Sequence, residues 1–261
     1  MTRQRSILLS FDVEEFDMPL EYGHAIPAEE QLKAGYEGLI RIKKLLSELD
    51  VPVTFFTTAN FANHFPEIIR ELSLTHEIAS HTYYHSSFET NHLQESKVVL
   101  EKITGKPVMG LRMPRMKKVS MDLVAAAGYT YDSSLNPTWL PGRYNHFNKP
   151  RTIFIGGRVK QVPASVSTFL RIPLFWLSFK NLSYPLYRGL VLKALKKDGY
   201  VCLYFHPWEF IDLGKYAMPG YTRKPDNTVL LKKLERLIID LKKEGDFTRM
   251  DSFTENYFIK K

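Results

Sequence analysis

Short apolar runs and longer amphipathic stretches alternate along most of the chain. Apolar or β-branched runs predict strands at 6–11, 53–57, 77–80, 108–111, 129–131, 200–205 and 247–250. Helical spacing of apolar residues predicts helices at 29–49, 66–72, 93–104, 120–127, 185–197 and 228–243. A capping box of Ser252 and Glu255 predicts a terminal helix. Strands that alternate with helices pair in parallel, so the pattern predicts an α/β fold, either an open doubly wound sheet or a closed barrel.

Two stretches depart from this alternation. Residues 152–155 and 159–162 flank a Gly-Gly turn and predict a hairpin, which we interpret as an insertion at about 140–165. The next stretch, about 166–197, interleaves aromatic residues with Arg and Lys. We favour a loop and helix that cover the core. The alternative is an amphipathic edge that contacts an anionic membrane surface. Changing Lys193, Lys196 and Lys197 to Glu should then weaken binding to that surface.

Composition narrows the class of protein. With 261 residues and 44% hydrophobic content, we expect one globular domain spanning 1–261. The single cysteine, Cys202, excludes intrachain disulfides, so any metal site needs His, Asp or Glu. The apolar stretch 7–9 is too short for a secretory signal, and we expect a cytoplasmic protein. A formal net charge of +8 indicates anionic surroundings without choosing among them.

Polar clusters follow five of the predicted strands. They are Asp12-Val13-Glu14-Glu15, His81-Thr82-Tyr83-Tyr84-His85, Arg112-Met113-Pro114, Asp132-Ser133-Ser134 and His206-Pro207-Trp208-Glu209. In a parallel barrel the carboxyl ends of the strands open on one mouth, where reactive residues lie. The sequence therefore predicts that these clusters surround one site.

The spacing of His81 and His85 is typical of two metal ligands. Imidazoles four residues apart on a helical turn can converge on one divalent ion, and two His with one carboxylate form a familiar hydrolytic site. Asp12 and Glu14 point the same way in an extended strand, whereas Glu15 faces away. One of the two carboxylates can bind the ion while the other acts as a base.

Other charged residues suit supporting roles in a hydrolytic site. His206 ends an apolar strand and is suited to protonate a leaving amine at neutral pH. Arg112 could orient Asp12 through a charge-assisted hydrogen bond, and Asp132 or Glu209 could do the same for His206.

Taken together, the motifs resemble a known family. Phe11-Asp12-Val13-Glu14, His81-Thr82-x-x-His85, Arg112-x-Pro114 and Leu203-x-x-His206-Pro207-Trp208-Glu209 are similar to motifs of the polysaccharide deacetylases, the NodB-homology proteins of carbohydrate esterase family four. The strings at 76–81, 131–134 and 206–210 further resemble a branch found near bacterial exopolysaccharide systems.

The resemblance implies a distorted, TIM-barrel-like (β/α) barrel of about seven βα units. It also implies metal-dependent removal of N-acetyl groups from amino sugars, with Asp12 as general base, His206 as general acid and Arg112 orienting the base. His81 and His85 would be metal ligands. Glu14 is assigned as the third ligand, because Val13 stands where the family has its second aspartate.

Five further residues are expected at the site. Asp132 is assigned to the catalytic set, and Arg115, Tyr84, Trp208 and Glu209 are expected to contact substrate. Arg115 takes the place of an aromatic residue that often flanks the substrate in the family, and its backbone N–H could serve the oxyanion.

The expected cofactor is a divalent metal, with zinc as the first choice for His and carboxylate ligands. The expected partner is an N-acetylated glycan in a polysaccharide or a lipid-linked oligosaccharide, with a peripheral membrane contact at the inner face and no nucleic acid. Two alternatives remain open. One is an amidohydrolase or deformylase of a small non-sugar amide, and the other is a catalytically inactive carbohydrate-binding relative.

Overall fold

The computed structural model describes residues 5–141 and 144–257. The strands are β1 (Ser6–Val13), β2 (Thr54–Thr57), β3 (Glu77–Ser80), β4 (Gly110–Leu111), β5 (Tyr131–Asp132), β6 (Trp139–Leu140), β7 (Tyr144–Asn145), β8 (Phe154–Gly156), β9 (Val159–Gln161), β10 (Tyr200–Phe205) and β11 (Asp246–Phe247). The helices are α1 (Ala28–Leu49), α2 (Ala59–His64), α3 (Pro66–Leu72), α4 (His92–Thr104), α5 (Met121–Ala126), α6 (Trp176–Asn181), α7 (Tyr184–Asp198), α8 (Gly220–Arg223), α9 (Asn227–Lys242) and α10 (Met250–Asn256). Short 3₁₀ turns lie at Met18–Tyr22, Pro114–Met116 and Pro207–Phe210.

The main sheet is a curled, mostly parallel half-barrel. Its strands pair in the order β10-β1-β2-β3-β4-β5-β9-β8, and β11 also pairs with β1. Each of these pairs is parallel except β8 with β9. The chain after β9 lies along the open side, where the N–H of Ser165 donates to the carbonyl of Cys202 on β10. The predicted α/β distorted barrel is confirmed.

Alternation along β1 separates two apolar layers. Ile7 and Leu9 pack under the helices, whereas Leu8 lies in the inner layer with Phe56 and Tyr131. Because successive side chains of a strand point to opposite faces, Ser10 and Asp12 continue the inner side toward the mouth of the barrel. The inner layer thus turns from apolar to charged along a single strand.

Two glycines allow α1 to approach the mouth closely. A Cβ on Gly38 would lie 2.0 Å from the carbonyl oxygen of Pro207, and one on Gly35 would lie 2.5 Å from the carbonyl oxygen of Glu14. Only glycine fits between the helix and these two backbones. The segments that carry Glu14 and His206 are therefore braced by the same helix.

The structure corrects two expectations about local elements. The hairpin of β8 and β9 is not an insertion outside the barrel, because β9 pairs in parallel with β5 and extends the main sheet. The capping box of Ser252 and Glu255 is wrong, since both residues lie inside α10. That helix begins at Met250, whose side chain is buried and whose N–H donates to Thr54 Oγ1 at 3.0 Å.

The aromatic and basic stretch is divided between core and surface. Its core members are Leu174, Phe175, Trp176, Phe179 and Tyr187. Phe169 and Leu170, on the turn before them, are exposed. None of the helices in the described ranges has both the length and the apolar character to cross a bilayer.

Candidate active site

The end of β1 directs two carboxylates into one pocket. Asp12 and Glu14 both line it and are almost fully buried. Glu15 points the other way, where its carboxylate accepts hydrogen bonds from Thr58 Oγ1 at 2.8 Å and Asn60 Nδ2 at 2.5 Å. The alternation of an extended strand therefore separates the acidic cluster as the sequence predicted.

Glu14, His81 and His85 converge on one point. Glu14 Oε2 lies 3.0 Å from His81 Nε2 and 3.2 Å from His85 Nε2. Within the described ranges, this is the only trio of His, Cys, Asp or Glu ligand atoms that all lie within 4.8 Å of one another. The trio matches the donor set of a mononuclear zinc site that keeps a coordination position open.

The second nitrogen of each histidine fixes which nitrogen faces the centre. His81 Nδ1 lies 2.7 Å from the carbonyl oxygen of Arg112, so it must donate, which leaves Nε2 with a lone pair. His85 Nδ1 lies 2.7 Å from Asp17 Oδ1 and donates in the same way. Three acceptor atoms thus face each other with no proton of their own in the neutral tautomers. A divalent cation would satisfy all three, so these residues fit the expected metal.

Electrostatics around Glu14 favour the same conclusion. Burial alone would raise the pKa of Glu14, but the nearby imidazoles of His85, His206 and His81 hold it well below its usual range. Burial would lower the pKa of His85, and the charges of Glu14 and Asp17 raise it to about 9. The carboxylates of Glu14 and Asp17 therefore favour a positive charge at this centre, which either a proton on the imidazole or a bound cation supplies.

Arg112 holds Asp12 from behind. Its Nη1 donates to Asp12 Oδ1 at 2.6 Å and to Ser10 Oγ at 3.0 Å, while its Nε donates to the carbonyl of Ser133 at 3.2 Å. The guanidinium also lies 4.0 Å from the ring centroid of Phe56 and is fully buried. The hydrogen bond from Arg112 occupies Asp12 Oδ1 and leaves Asp12 Oδ2 facing the pocket.

His206 faces both carboxylates from the opposite wall. Its Nε2 lies 3.9 Å from Asp12 Oδ2 and 4.0 Å from Glu14 Oε1. The ring stacks on Trp208 at a centroid distance of 4.9 Å, and its Nδ1 lies 3.1 Å from Glu209 Oε1. Burial would lower the pKa of His206, but the charges of Glu14 and Glu209 raise it. A protonated imidazole is thus favoured beside the carboxylates.

A buried lysine stands behind Glu209. Lys180 Nζ lies 3.8 Å from Glu209 Oε2 and donates to the carbonyl of Thr222 at 2.7 Å. Glu209 Oε2 accepts no hydrogen bond in the described part of the chain, so the lysine is its nearest compensating charge. The three side chains of Lys180, Glu209 and His206 form a line that ends at the pocket.

Arg115 is engaged by acidic side chains rather than free at the pocket wall. It donates to Asp17 Oδ2 at 2.8 Å, to Glu21 Oε1 at 2.6 Å and to the carbonyl of His85 at 3.0 Å. Its backbone has a φ of 55°, in the left-handed region. Asp17 therefore bridges Arg115 and the ligand candidate His85.

The remaining four expected residues fall in four different places. Trp208 lines the pocket, and its Nε1 donates to Glu14 Oε1 at 3.0 Å. Glu209 is buried behind His206, where its carboxylate contacts the imidazole, and it is not among the residues that line the pocket. Asp132 does not reach His206, because its carboxylate is held by Ser134, and burial raises its pKa to about 6. Tyr84 lies in a neighbouring groove against Tyr83 and His92.

Sequence reasoning missed Asp17, Trp176 and Lys180. Asp17 had a signal, because it continues the acidic cluster that follows β1. Trp176 lines the pocket edge-on to His206 at a centroid distance of 5.4 Å. Neither Trp176 nor Lys180 lies at a strand end, so no pattern pointed to them. The pocket that results has a volume of about 260 Å³.

Comparisons with known proteins show a related family and a shared fold. The family model described as Polysaccharide deacetylase matches residues 2–131. A comparison with curated proteins finds no match. An inferred polysaccharide deacetylase from Mycobacterium smegmatis shares the fold with a TM-score of 0.64 at 21% identity, over 97% of this chain and 90% of that chain.

Two other solved structures share the fold. Puue allantoinase has a TM-score of 0.63 at 19% identity, over 98% of this chain and 91% of that chain. A CE4 family pseudoenzyme from Bacillus anthracis has a TM-score of 0.51 at 12% identity, over 97% of this chain and 66% of that chain. Residues 2–131 therefore carry a polysaccharide deacetylase domain, and the solved structures share the fold over nearly the whole chain. The chain is a hydrolase of amide bonds of the polysaccharide deacetylase type.

Proposed function

We propose that this protein is a divalent-metal-dependent deacylase that removes the N-acetyl group of an amino sugar in a polysaccharide or a lipid-linked oligosaccharide. One observation carries the proposal. Asp12 Oδ2 and His206 Nε2 face each other at 3.9 Å beside the Glu14, His81 and His85 centre. Each of the two is held from behind by a buried charged group, so a base and an acid are fixed next to each other at the edge of the same centre.

The protein's own groups account for the proton transfers. A divalent metal, with zinc as the first choice, would polarise the amide carbonyl and acidify water when held by Glu14, His81 and His85. Asp12 Oδ2 takes the proton of the water that adds to the carbonyl carbon, since Arg112 occupies Oδ1. His206 Nε2 gives a proton to the amide nitrogen as the C–N bond breaks. The products are acetate and the free amine.

Binding of a sugar fits the walls of the pocket. Trp176, Trp208 and Tyr204 line it, and aromatic faces pack well against the apolar face of a sugar ring. We assign Arg115 a positioning role toward His85 through Asp17 rather than the substrate contact that the sequence favoured. The exopolysaccharide-associated branch and a location at the inner face of the membrane are part of the same proposal.

A small amide is the second candidate substrate. Puue allantoinase shares the fold over nearly the whole chain, and a pocket of about 260 Å³ accommodates a small molecule as well as one sugar ring. The same catalytic groups would serve both substrates. Which of the two is the substrate therefore depends on the molecule that the pocket binds and not on the catalytic groups.

The test measures acetate release from N-acetylglucosamine oligomers and hydrolysis of small amides, with zinc-loaded and chelator-treated protein. We expect acetate release that is lost on chelation and restored by zinc. Asp12→Asn should retain zinc and lose turnover, whereas His81→Ala should lose both. Turnover of small amides alone would favour the second candidate. Zinc-loaded protein with neither activity would contradict both and leave a non-catalytic carbohydrate-binding relative.

A further inference from the structure

One long segment of the chain is free of acidic residues. From residue 133 to residue 197 there is no Asp or Glu, whereas the same 65 residues contain 11 Lys and Arg. The formal net charge of the whole chain is +8, so this segment accounts for more than the entire excess. Such a one-sided distribution creates a local positive potential that favours an anionic partner.

The same segment exposes large apolar side chains that lie close together. Phe169 is the most exposed of those described, at 84%, and Leu170 is 65% exposed. Trp139 is 61% exposed and Phe147 is 49% exposed. We call these four residues the docking face. Contiguous exposed apolar surface with a basic border marks an interaction site more often than it marks ordinary surface.

Contacts of Arg171 join the parts of the docking face. Thr138 Oγ1 donates to the carbonyl of Arg171 at 2.7 Å, and Arg171 Nη1 donates to the carbonyl of Lys149 at 2.7 Å. The guanidinium lies 4.9 Å from the ring centroid of Phe147. These bonds hold the turn that carries Phe169 and Leu170 beside the ribbon that carries Trp139. The turn is therefore preformed.

Basic side chains border this turn. Arg151 donates to the carbonyl of Thr168 at 3.0 Å and forms an ion pair with Asp198, the last residue of α7. The final turns of α7 therefore end beside the docking face, with Lys193, Lys196 and Lys197 exposed on them. Cations around an apolar tip are the arrangement by which a protein binds the surface of an anionic bilayer.

We propose that the docking face binds the surface of an anionic lipid bilayer. The aliphatic Leu170 beside Phe169 at the tip favours lipid over nucleic acid or an acidic glycan, which would use the cations and leave the aliphatic side chain in water. Trp139 suits the headgroup level, where indole rings concentrate. Leu140, the residue after it, lines the active-site pocket, so binding would bring the pocket close to the bilayer surface. The proposal stands apart from catalysis.

Co-sedimentation with vesicles tests the proposal on the full-length protein without substrate. We compare phosphatidylcholine vesicles with vesicles that also contain phosphatidylglycerol, at low and high salt. We expect binding to the anionic vesicles only, weakened by salt. The triple change Lys193→Glu, Lys196→Glu, Lys197→Glu should reduce the partition coefficient at least tenfold, since each basic residue near such a surface contributes about fivefold. The pair Phe169→Ser, Leu170→Ser should reduce it by a similar factor.

Matched controls lie outside the segment. Leu74→Ser changes another exposed leucine, and Lys44→Glu reverses another exposed lysine; both should bind as the unaltered protein does. Circular dichroism checks that each variant is folded. Equal binding to neutral vesicles, or no binding at low salt, overturns the proposal. Binding that needs the lysines but not Phe169 and Leu170, matched by binding to heparin or RNA, also overturns it and identifies a soluble polyanion as the partner.

Discussion

Replacing Gly38 by alanine tests whether α1 braces the acid-bearing turn. The added Cβ would lie 2.0 Å from the carbonyl oxygen of Pro207 and 2.9 Å from the backbone nitrogen of Trp208, whereas ordinary contact begins at 3.4 Å. The two backbones would have to separate by about 1.4 Å, because neither atom belongs to a flexible side chain. Alanine gains about 1 kcal/mol in helix propensity over glycine, and overpacking of a rigid contact costs about 1–3 kcal/mol. We expect a net loss of up to about 2 kcal/mol.

Gly189 provides the matched control. It lies in α7, and an added Cβ there meets nothing within 4 Å. Gly189→Ala should therefore stabilise the protein by about 0.5–1 kcal/mol from helix propensity alone. Urea unfolding of both variants measures the difference in midpoint. Because Pro207 follows His206, Gly38→Ala should also lower turnover, by about a hundredfold for a displacement near 1 Å. Equal stability and turnover of the two variants would refute the bracing role of α1.

Three further predictions concern charges beneath the site. Asp17→Asn should weaken zinc affinity about 10- to 100-fold in calorimetry, since it loosens His85; unchanged affinity would contradict this. Lys180→Met should cost about 3 kcal/mol in urea unfolding, because it leaves Glu209 buried without its cation, and the addition of Glu209→Gln should recover part of the loss; no recovery would separate the two residues. Burial and the charge of Asp251 raise the pKa of Glu77 to about 7, so the folded state holds a proton that the unfolded state releases. The corresponding stability, up to about 3 kcal/mol, is present below about pH 4.5 and lost as pH rises through 7; a Glu77→Gln variant with the same pH dependence as the unaltered protein would contradict it.

The fold was predictable where a local signal bounds each element. The predicted limits of β3 and β10 match the observed ones, and α1, α4 and α9 differ by one residue. Glycines in the left-handed region end α4 and α7, so the positions of Gly105 and Gly199 in the sequence indicated where those helices end. The helix α2 was missed because its six residues have no periodic stripe and depend on the Thr58 side chain as N-cap. The role of β9 was missed because its pairing with β5 is non-local.

The site was predictable to the extent that it lies at strand ends. The period of two along β1 placed Asp12 and Glu14 together and turned Glu15 away. The supporting partners depend on loops whose approach is set by tertiary packing. The contacts of Arg115 with Asp17 and Glu21 carried no sequence signal, because they depend on how the chain after β1 folds back over the pocket. Asp132 and Glu209 were alternatives for His206, and only the turn Pro207–Phe210 brings Glu209 back to it.

The acid-free segment explains why Lys180 is paired with Glu209, a residue outside that segment that also contacts His206. Where the segment turns inward, Lys180 is buried and needs a carboxylate, but the 65 residues around it contain none. Glu209, after β10, supplies the carboxylate and is shared with His206. Lys193, Lys196 and Lys197 are exposed, and no acidic residue of the segment is available to neutralise their positive charge. The absence of acidic residues from the segment thus has two consequences. The buried Lys180 lies beside the Glu209 and His206 pair, whereas the exposed lysines at the end of α7 form a basic border at the surface.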